Sequence, residues 1–556
     1  MSETLSEPTM PTRPGGRPFA VLVAAGILLS RIAGLVRERV FAHYLGSSIA
    51  ADAFKAALKI PNFLQNLFGE GVLSASFIPV YARLVAQRDQ EFAGRVAGVF
   101  ASILAFGVSL FVLLGVLATP YLIGAIAPGF EGPVRGLTID IVRILFPGVG
   151  LLVLSAWCLG VLNSHHKFFL SYVAPVLWNI AIIATLVAFG SRMRQGDLVR
   201  AVAWGTVAGS LLQLAVQLPF VIRYARPISF GFDLRLKPVR EVFRNLMPVV
   251  LGRGVVQFSA YVDQVIASYL PAGAVSTLAY AQTIYLLPIS LFGASVAAAE
   301  LPQMSRQTGV PNVIYAVVRD RLETAQRQVA FFVIPSVVAI LLIGRHLVAA
   351  VYQTGSFGQE QTLYVWYVLM GSSVGLLAAT LGRLYSSAFY ALRDTRTPLK
   401  FAVVRVILTG ALGYVFAFPL RWVVVEAFSL THLRLPDLPG GGGMVGTVAL
   451  TASAGVAGWI EFLLLRRALH QRIGRIVLPV RFQLSLWLSA ASAGCAALAL
   501  DVIASRLWLY FQLGPATQGA VIAVMFGTAF TAGALLLRIP EAFVALRRIT
   551  TFRRRP

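Results

Sequence analysis

The chain has 556 residues, of which 57% are hydrophobic and only 13% charged, and its mean hydropathy is +0.77. A soluble protein of this length needs far more charge to cover its surface, so a soluble enzyme or a soluble binding module is excluded. The net charge of +24, from 47 basic and 23 acidic residues, would point to nucleic acid on a soluble protein; on this one it is first explained by basic cytoplasmic loops, and no nucleic-acid partner is expected.

A membrane-spanning helix needs about 20 mostly apolar residues. Apolar stretches of that length predict about 14 spans, at 18–45, 51–85, 95–126, 136–162, 168–190, 198–224, 242–270, 274–303, 327–352, 362–391, 399–428, 443–467, 482–505 and 515–538. A polar tail, 1–17, precedes them, and no removable signal peptide is read there. The gaps after even-numbered spans are rich in basic residues, among them Arg235, Lys237 and Arg240, then Arg393 and Arg396, and finally the tail arginines Arg547 to Arg555. The gaps after odd-numbered spans are poorer, for example 46-GSSIA-50. This alternation places both termini in the cytoplasm of an inner-membrane, multi-pass protein.

The sequence also repeats itself. The end of span 1, 40-VFAHYL-45, matches 265-VIASYL-270 at the end of span 7. The end of span 3, 122-LIGAIAPGF-130, matches 347-LVAAVYQTGSF-357 after span 9. Both pairs share an offset of 225 residues. Six spans per copy make the two copies parallel, as in transporters whose halves rock about a shared site. The expected organisation is an N-lobe at 18–226, a linker at 227–241, a C-lobe at 242–442 completed by span 12 at 443–467, two further spans within 468–538, and a basic tail at 539–556.

Charges inside spans are costly and turn toward a cavity or a partner. Span 1 carries Arg31, Arg37 and Glu38; Arg31 and Glu38 share a helix face, with Arg37 off it. Span 2 carries a stripe of Lys55, Lys59, Asn62, Asn66 and Glu70 at helical spacing. Span 7 has Arg253, Gln257, Tyr261 and Gln264 along one face, plus Asp263, which stands 225 residues after Glu38. Arg143 in span 4 and Arg383 in span 10 could serve either packing or substrate contact. Arg and Lys in a low-dielectric cavity suit phosphate, which they hold by charge-assisted hydrogen bonds. The two cysteines, Cys158 and Cys495, lie in apolar stretches and imply neither a disulfide nor a metal site. The pair His165–His166 falls in a cytoplasmic loop, where it is expected to be solvated. There is no GxxxxGK[ST] loop or metal-ligand cluster, so a transporter without covalent chemistry is expected rather than an enzyme.

The stretches 30-SRIAGLVRERVFAHYLG-46 and 52-DAFKAALKIPNFLQNLFGEGVLSASFIPVYA-82 closely resemble the N-terminal signature of the MurJ (MviN) lipid II flippases, supported by 127-APGF-130, 162-LN-163, 174-APVLWNI-180 and 389-FYALRDTRTP-398. The resemblance covers spans 1 to 12 and reaches the last two by hydropathy alone. It implies an all-α, polytopic fold of the MOP exporter superfamily, MATE-like, with two six-helix lobes in a V and two extra C-terminal helices forming a groove for the polyprenyl tail. It implies lipid II, an undecaprenyl-diphosphate-linked disaccharide-pentapeptide, as substrate, and a place in peptidoglycan synthesis. Arg31 and Arg37 match cavity arginines of the family; Asp52, Lys59 and Glu70 match polar positions around span 2. Gln65 and Asn66 stand where many members are basic, and 282-QT-283 where many have Asp-Arg; Arg253 is a candidate replacement for that arginine. Asp263 resembles an acid that binds sodium in some members, though span 11 lacks the Asn/Asp partners of that site. Coupling to the membrane potential or a monovalent cation is expected, with no bound cofactor. Membrane lipids and cell-wall synthesis proteins are the other expected partners. Two alternatives stay open: a flippase for another polyprenyl-diphosphate oligosaccharide of O-antigen or capsule type, and a non-transporting cell-wall scaffold.

Overall fold

Inside a bilayer no water meets the backbone, so each spanning segment must satisfy its own N–H and C=O groups, and a helix does so within one segment. The computed structural model describes residues 16–68, 73, 76–87, 89–305, 310–423, 426, 444–506 and 514–553. These residues are almost entirely helical, apart from an isolated bridge between Thr354 and Phe357.

Among the described residues ten helices are long and apolar enough to cross a membrane; an eleventh is the pair Gln359–Ser373 and Leu376–Ala391, bent by 44°. The remaining three expected spans correspond to Gly16–Leu45, Ile49–Phe68 and Lys237–Ser268. These are spans 1, 2 and 7, each of which carries charged residues. Span 8 runs as Ala274–Pro288, passes through a π-helical turn at Ile289–Ala294, and continues as Ser295–Ser305. π-Turns inside α-helices are rare and are frequent at functional sites.

The chain falls into two compact units. One comprises Met1–Val40, Leu58–Thr119 and Asp140–Gly254. Its helices are joined by polar contacts such as Ser155 Oγ to Gln217 Oε1 at 2.7 Å and Arg200 to Asp140 at 3.0 Å. His165 does not stand in solvent as its loop position predicts. It is half-buried, its Nε2 is 3.1 Å from the Tyr81 hydroxyl, and its ring stacks on Tyr224. Burial, then the positive charges of His166 and Lys167, lower its pKa.

The other unit comprises Phe41–Ala57, Pro120–Ile139 and Val255–Pro556. Spans 10 and 12 approach closely where Gly375 faces Gly455, the small-on-small contact that lets helix backbones touch in lipid. The last two spans, Val480–Arg506 and Pro515–Leu536, pack on span 9 through Phe331, Ile334, Leu486, Ile522 and Phe530. His346 of span 9 pairs with Asp501 of span 13 at 3.2 Å, fixing the register of that added pair.

Candidate functional site

Span 1 is positioned by its own end. Gly46 has φ +56, a left-handed turn that a side chain resists, and a Cβ there would meet the Ser356 carbonyl at 2.7 Å. The turn brings His43 Nδ1 to 2.8 Å from Thr354 Oγ1, and the Ser356 amide donates to the His43 carbonyl at 2.7 Å. A second contact has the same form. The Gly129 amide donates to Ser268 Oγ at 3.1 Å. Residues 43 and 268 differ by the 225-residue offset, and so do 129 and 354. The end of each copy's first span therefore holds the loop after the other copy's third span, as a duplicated chain with two-fold pseudosymmetry should. The glycine of 127-APGF-130 follows from this contact, because a Cβ on Gly129 would strike the Ser268 carbonyl at 2.5 Å.

Asp52 lies 3% exposed in the same unit. Its carboxylate accepts the Gly273 amide on Oδ2 and the Ser276 amide on Oδ1, the latter at 2.7 Å. These are the orphan donors that open the span-8 helix. The equivalent start of span 2 caps itself: Ser48 Oγ accepts the Ala51 amide at 3.2 Å. The repeat puts Gly273 where Ser48 stands, so span 8 has no side chain of its own to do this. Asp52 supplies the acceptor from span 2. Lys55, one turn on, is also buried, its ammonium 4.3 Å from the Phe41 ring and 5.2 Å from the Tyr280 ring. The Tyr280 hydroxyl donates to the Gly46 carbonyl at 2.8 Å.

Arg37 belongs to the first unit. Its Nη2 meets Glu38 Oε1 at 2.8 Å and its Nη1 donates to Asn179 Oδ1 at 3.1 Å. The guanidinium lies over the Trp178 ring at 4.9 Å. Glu38 is buried and Arg37 is 20% exposed at its side chain. Two planar contacts and a stacking surface fix the orientation of the fork. Sequence reasoning placed Arg37 off the Arg31–Glu38 face and did not find Trp178 or Asn179. Their signal was there, a Trp-Asn pair inside the apolar span 5.

The other expected residues fall in both units. Arg31 is exposed on the span-1 helix, Lys59 is half-buried and Asn62 is exposed, all in the first unit. Asn66 and Arg253 lie on described helices, but their side chains fall outside the described residues, and Glu70 lies outside them altogether. Arg143 is exposed on span 4. Arg383 is exposed on span 10 and Asp263 half-buried on span 7, both in the second unit. Sequence reasoning missed Arg405 of span 11, whose Nη1 pairs with Glu461 Oε2 of span 12 at 3.2 Å.

The 389-FYALRDTRTP-398 motif is a helix start. Asp394 accepts the Arg396 and Thr397 amides, both at 3.0 Å, and the Thr397 hydroxyl at 2.7 Å, and it pairs with Arg472 at 2.6 Å. Partial burial works against its charge, but the Thr397 hydrogen bonds and Arg472 outweigh it and bring its pKa down to about 2.

The chain is similar to known proteins over most of its length. The family model described as lipid II flippase MurJ matches residues 41–431. A probable lipid II flippase MurJ from Rhizobium meliloti (strain 1021) is 30% identical over 92% of this chain and 93% of its own length. A lipid II flippase MurJ from Burkholderia cenocepacia is 29% identical over 82% of this chain and 84% of its own. Among solved structures, lipid II flippase MurJ in an inward closed conformation has a TM-score of 0.70 at 22% identity, over 93% of this chain and 100% of that one. An inward-facing MATE transporter of the MOP superfamily has a TM-score of 0.58 at 19% identity, over 81% of this chain and 99% of that one, so the two share a fold.

Proposed function

The chain belongs to the lipid II flippase MurJ family, and on that premise we propose that it moves lipid II from the cytoplasmic to the periplasmic leaflet of the inner membrane by alternating access. The protein is a multi-pass membrane transporter of the peptidoglycan pathway. The observation that carries the reading is the family match across residues 41–431.

The chemistry of the first unit fits this cargo. A diphosphate needs fixed cationic donors in a site of low dielectric, where each hydrogen bond counts for more than in water. Arg37 is held in such a position by Glu38, Asn179 and Trp178, and Arg31 and Lys59 add charge on the same unit. Glu38 keeps the empty site near neutrality, which lowers the cost of holding a guanidinium within the membrane. The last two spans offer an apolar surface for the polyprenyl tail. The basic excess after even-numbered spans supports cytoplasmic termini. The driving force is the membrane potential or a monovalent cation, with Asp263 as the residue to examine for the latter.

The test is complementation of a strain depleted of its own flippase. Rescue by the wild type and loss of rescue in Arg37→Ala, at equal membrane abundance, is the expected result. Full rescue by the double variant Arg31→Ala/Arg37→Ala would favour a scaffold that transports nothing, and absence of rescue by well-expressed wild type would count against lipid II as cargo.

A further inference from the structure

Span 12 ends in basic residues that its packing leaves open. Its helix, Val445–Ile473, stops at Gly474, whose φ of +89 favours glycine. The Ile476 amide then donates to His470 Nε2 at 3.3 Å, so the connection to span 13 folds back against the last helical turn. Between helix and connection lies a cavity of about 440 Å3, lined by Leu463, Arg466, Arg467, His470, Gln471 and Arg475. Small-molecule sites run from ~300 to ~1,000 Å3, so a phospholipid headgroup fits. The cavity follows the helix for ~12 Å, from Leu463 to Gln471, at ~1.5 Å per residue.

Its two ends differ in chemistry. Leu463, Arg467 and Gln471 are one helical turn apart, share a face, and are all exposed. Val456, two turns before Leu463, is exposed on that face as well. The end within the span is therefore apolar, and the end at the connection is basic. Arg472 is paired with Asp394 at 2.6 Å. Arg466, Arg467 and Arg475 form no ion pair among the described residues. The amide on His470 Nε2 leaves the ring proton on Nδ1, a neutral donor. Arginines at a cytoplasmic span end follow from topology alone. The gathering of three unpaired ones in one open cavity, continuous with an apolar helix face, does not.

Guanidinium groups only donate, so the cavity calls for an anion with acceptor oxygens. The exposed Leu463 and Val456 call for hydrocarbon in the same molecule. No carboxylate lines the cavity, so an ammonium headgroup would meet arginines without a partner of its own. We propose that this cavity binds the headgroup phosphate of an anionic glycerophospholipid of the cytoplasmic leaflet, its acyl chains lying along the Leu463–Val456 face. Basic pockets at the cytoplasmic ends of spans hold anionic headgroups in this way. The bound phosphate bridges Arg466 and Arg467 of span 12 to Arg475 of the connection, and so steadies the start of the added spans 13 and 14. The site shares no residue with the setting of Arg37, and its occupant is a resident lipid rather than cargo. Its place on the cytoplasmic side rests on the orientation proposed above.

The test adds phosphatidylglycerol, phosphatidylethanolamine, inorganic phosphate or lipid II to the delipidated full chain in detergent. Bound lipid is counted by native mass spectrometry, and stabilisation is read from the melting temperature. Phosphatidylglycerol should bind and raise the melting temperature, and phosphatidylethanolamine should bind more weakly. One arginine at a membrane surface is worth about fivefold in affinity. Arg475→Gln should therefore weaken phosphatidylglycerol binding about fivefold and Arg466→Gln/Arg467→Gln about 25-fold. Arg235→Gln/Arg240→Gln, which removes the same charge from another basic loop, should stay within twofold of wild type. Binding within twofold of wild type in the cavity variants would overturn the site. So would an equal loss in the Arg235/Arg240 pair, which would show diffuse surface attraction. Displacement of the lipid by millimolar inorganic phosphate would show a free-anion site, and displacement by equimolar lipid II a cargo site; either result overturns the assignment. If the double variant is not monodisperse, Arg475→Gln decides, because Arg475 lies beyond the helix and holds no ion pair among the described residues.

Discussion

Asp52→Asn isolates what one buried carboxylate does for the start of span 8. The substitution keeps the shape and removes the charge. Asp52 now accepts two amides, Gly273 and Ser276, with one oxygen each. An asparagine has one acceptor, so one amide would face an NH2 group and stay unsatisfied, at a cost of about 1–3 kcal/mol. Loss of a negative charge at a helix N-terminus adds about 0.3–1 kcal/mol, or up to ~2 in a buried geometry. Against this, the native carboxylate is 3% exposed, and neutralising it recovers part of its desolvation penalty. The net expectation is a destabilisation of about 1–3 kcal/mol. Ser48→Ala provides the internal ruler, because Ser48 does the equivalent work for span 2 through one neutral bond at 3.2 Å, typically about 1 kcal/mol. Thermal unfolding of the detergent-purified protein should therefore rank wild type above Ser48→Ala and Ser48→Ala above Asp52→Asn. Gly273→Ser should not rescue Asp52→Asn, although serine caps the equivalent position, because Gly273 has φ +93 and a Cβ would sit 2.8 Å from the Ser47 carbonyl. An Asp52→Asn protein that melts no lower than Ser48→Ala would refute the capping argument.

Asn179→Leu should lower complementation several-fold at unchanged abundance, since it removes the acceptor that aligns Arg37 while keeping side-chain volume; Asn179→Asp, which keeps that acceptor, should retain more activity than Asn179→Leu. The Asp394 cap should make stability fall on acidification: its folded pKa of about 2 lies below the ordinary 3.8, so its contribution is complete above about pH 4 and is lost as pH falls from there toward 2. Melting curves of wild type and Asp394→Asn should accordingly differ at pH 6 and converge toward pH 3, and a gap that stays constant would show that the carboxylate does not set it.

What the sequence disclosed follows from the range over which each signal acts. Hydropathy is local, and it located the spans, the charged spans 1, 2 and 7 among them. The site was legible only where its partners are near in sequence. Arg37 and Glu38 are adjacent, but Asn179 is 142 residues from Arg37, and nothing in 174-APVLWNI-180 says which charge it will meet. Arg405 sat in plain view within 399–428, yet an isolated arginine has no meaning until Glu461, 56 residues on, is found beside it. The duplication is the exception, because it carries long-range information in a local pattern. A common offset in two short matches already implied that whatever residue 43 touches, residue 268 should touch in mirrored order. The contacts of His43 with Thr354 and of Ser268 with Gly129 obey that rule. Where the copies have diverged, as at Ser48 and Gly273, the rule exposes a missing group, and the structure fills it from elsewhere with Asp52. Divergence between copies is therefore the most informative place to look in a duplicated transporter: a polar role kept by geometry but absent from the local sequence must have passed to another residue, and that residue couples the two copies.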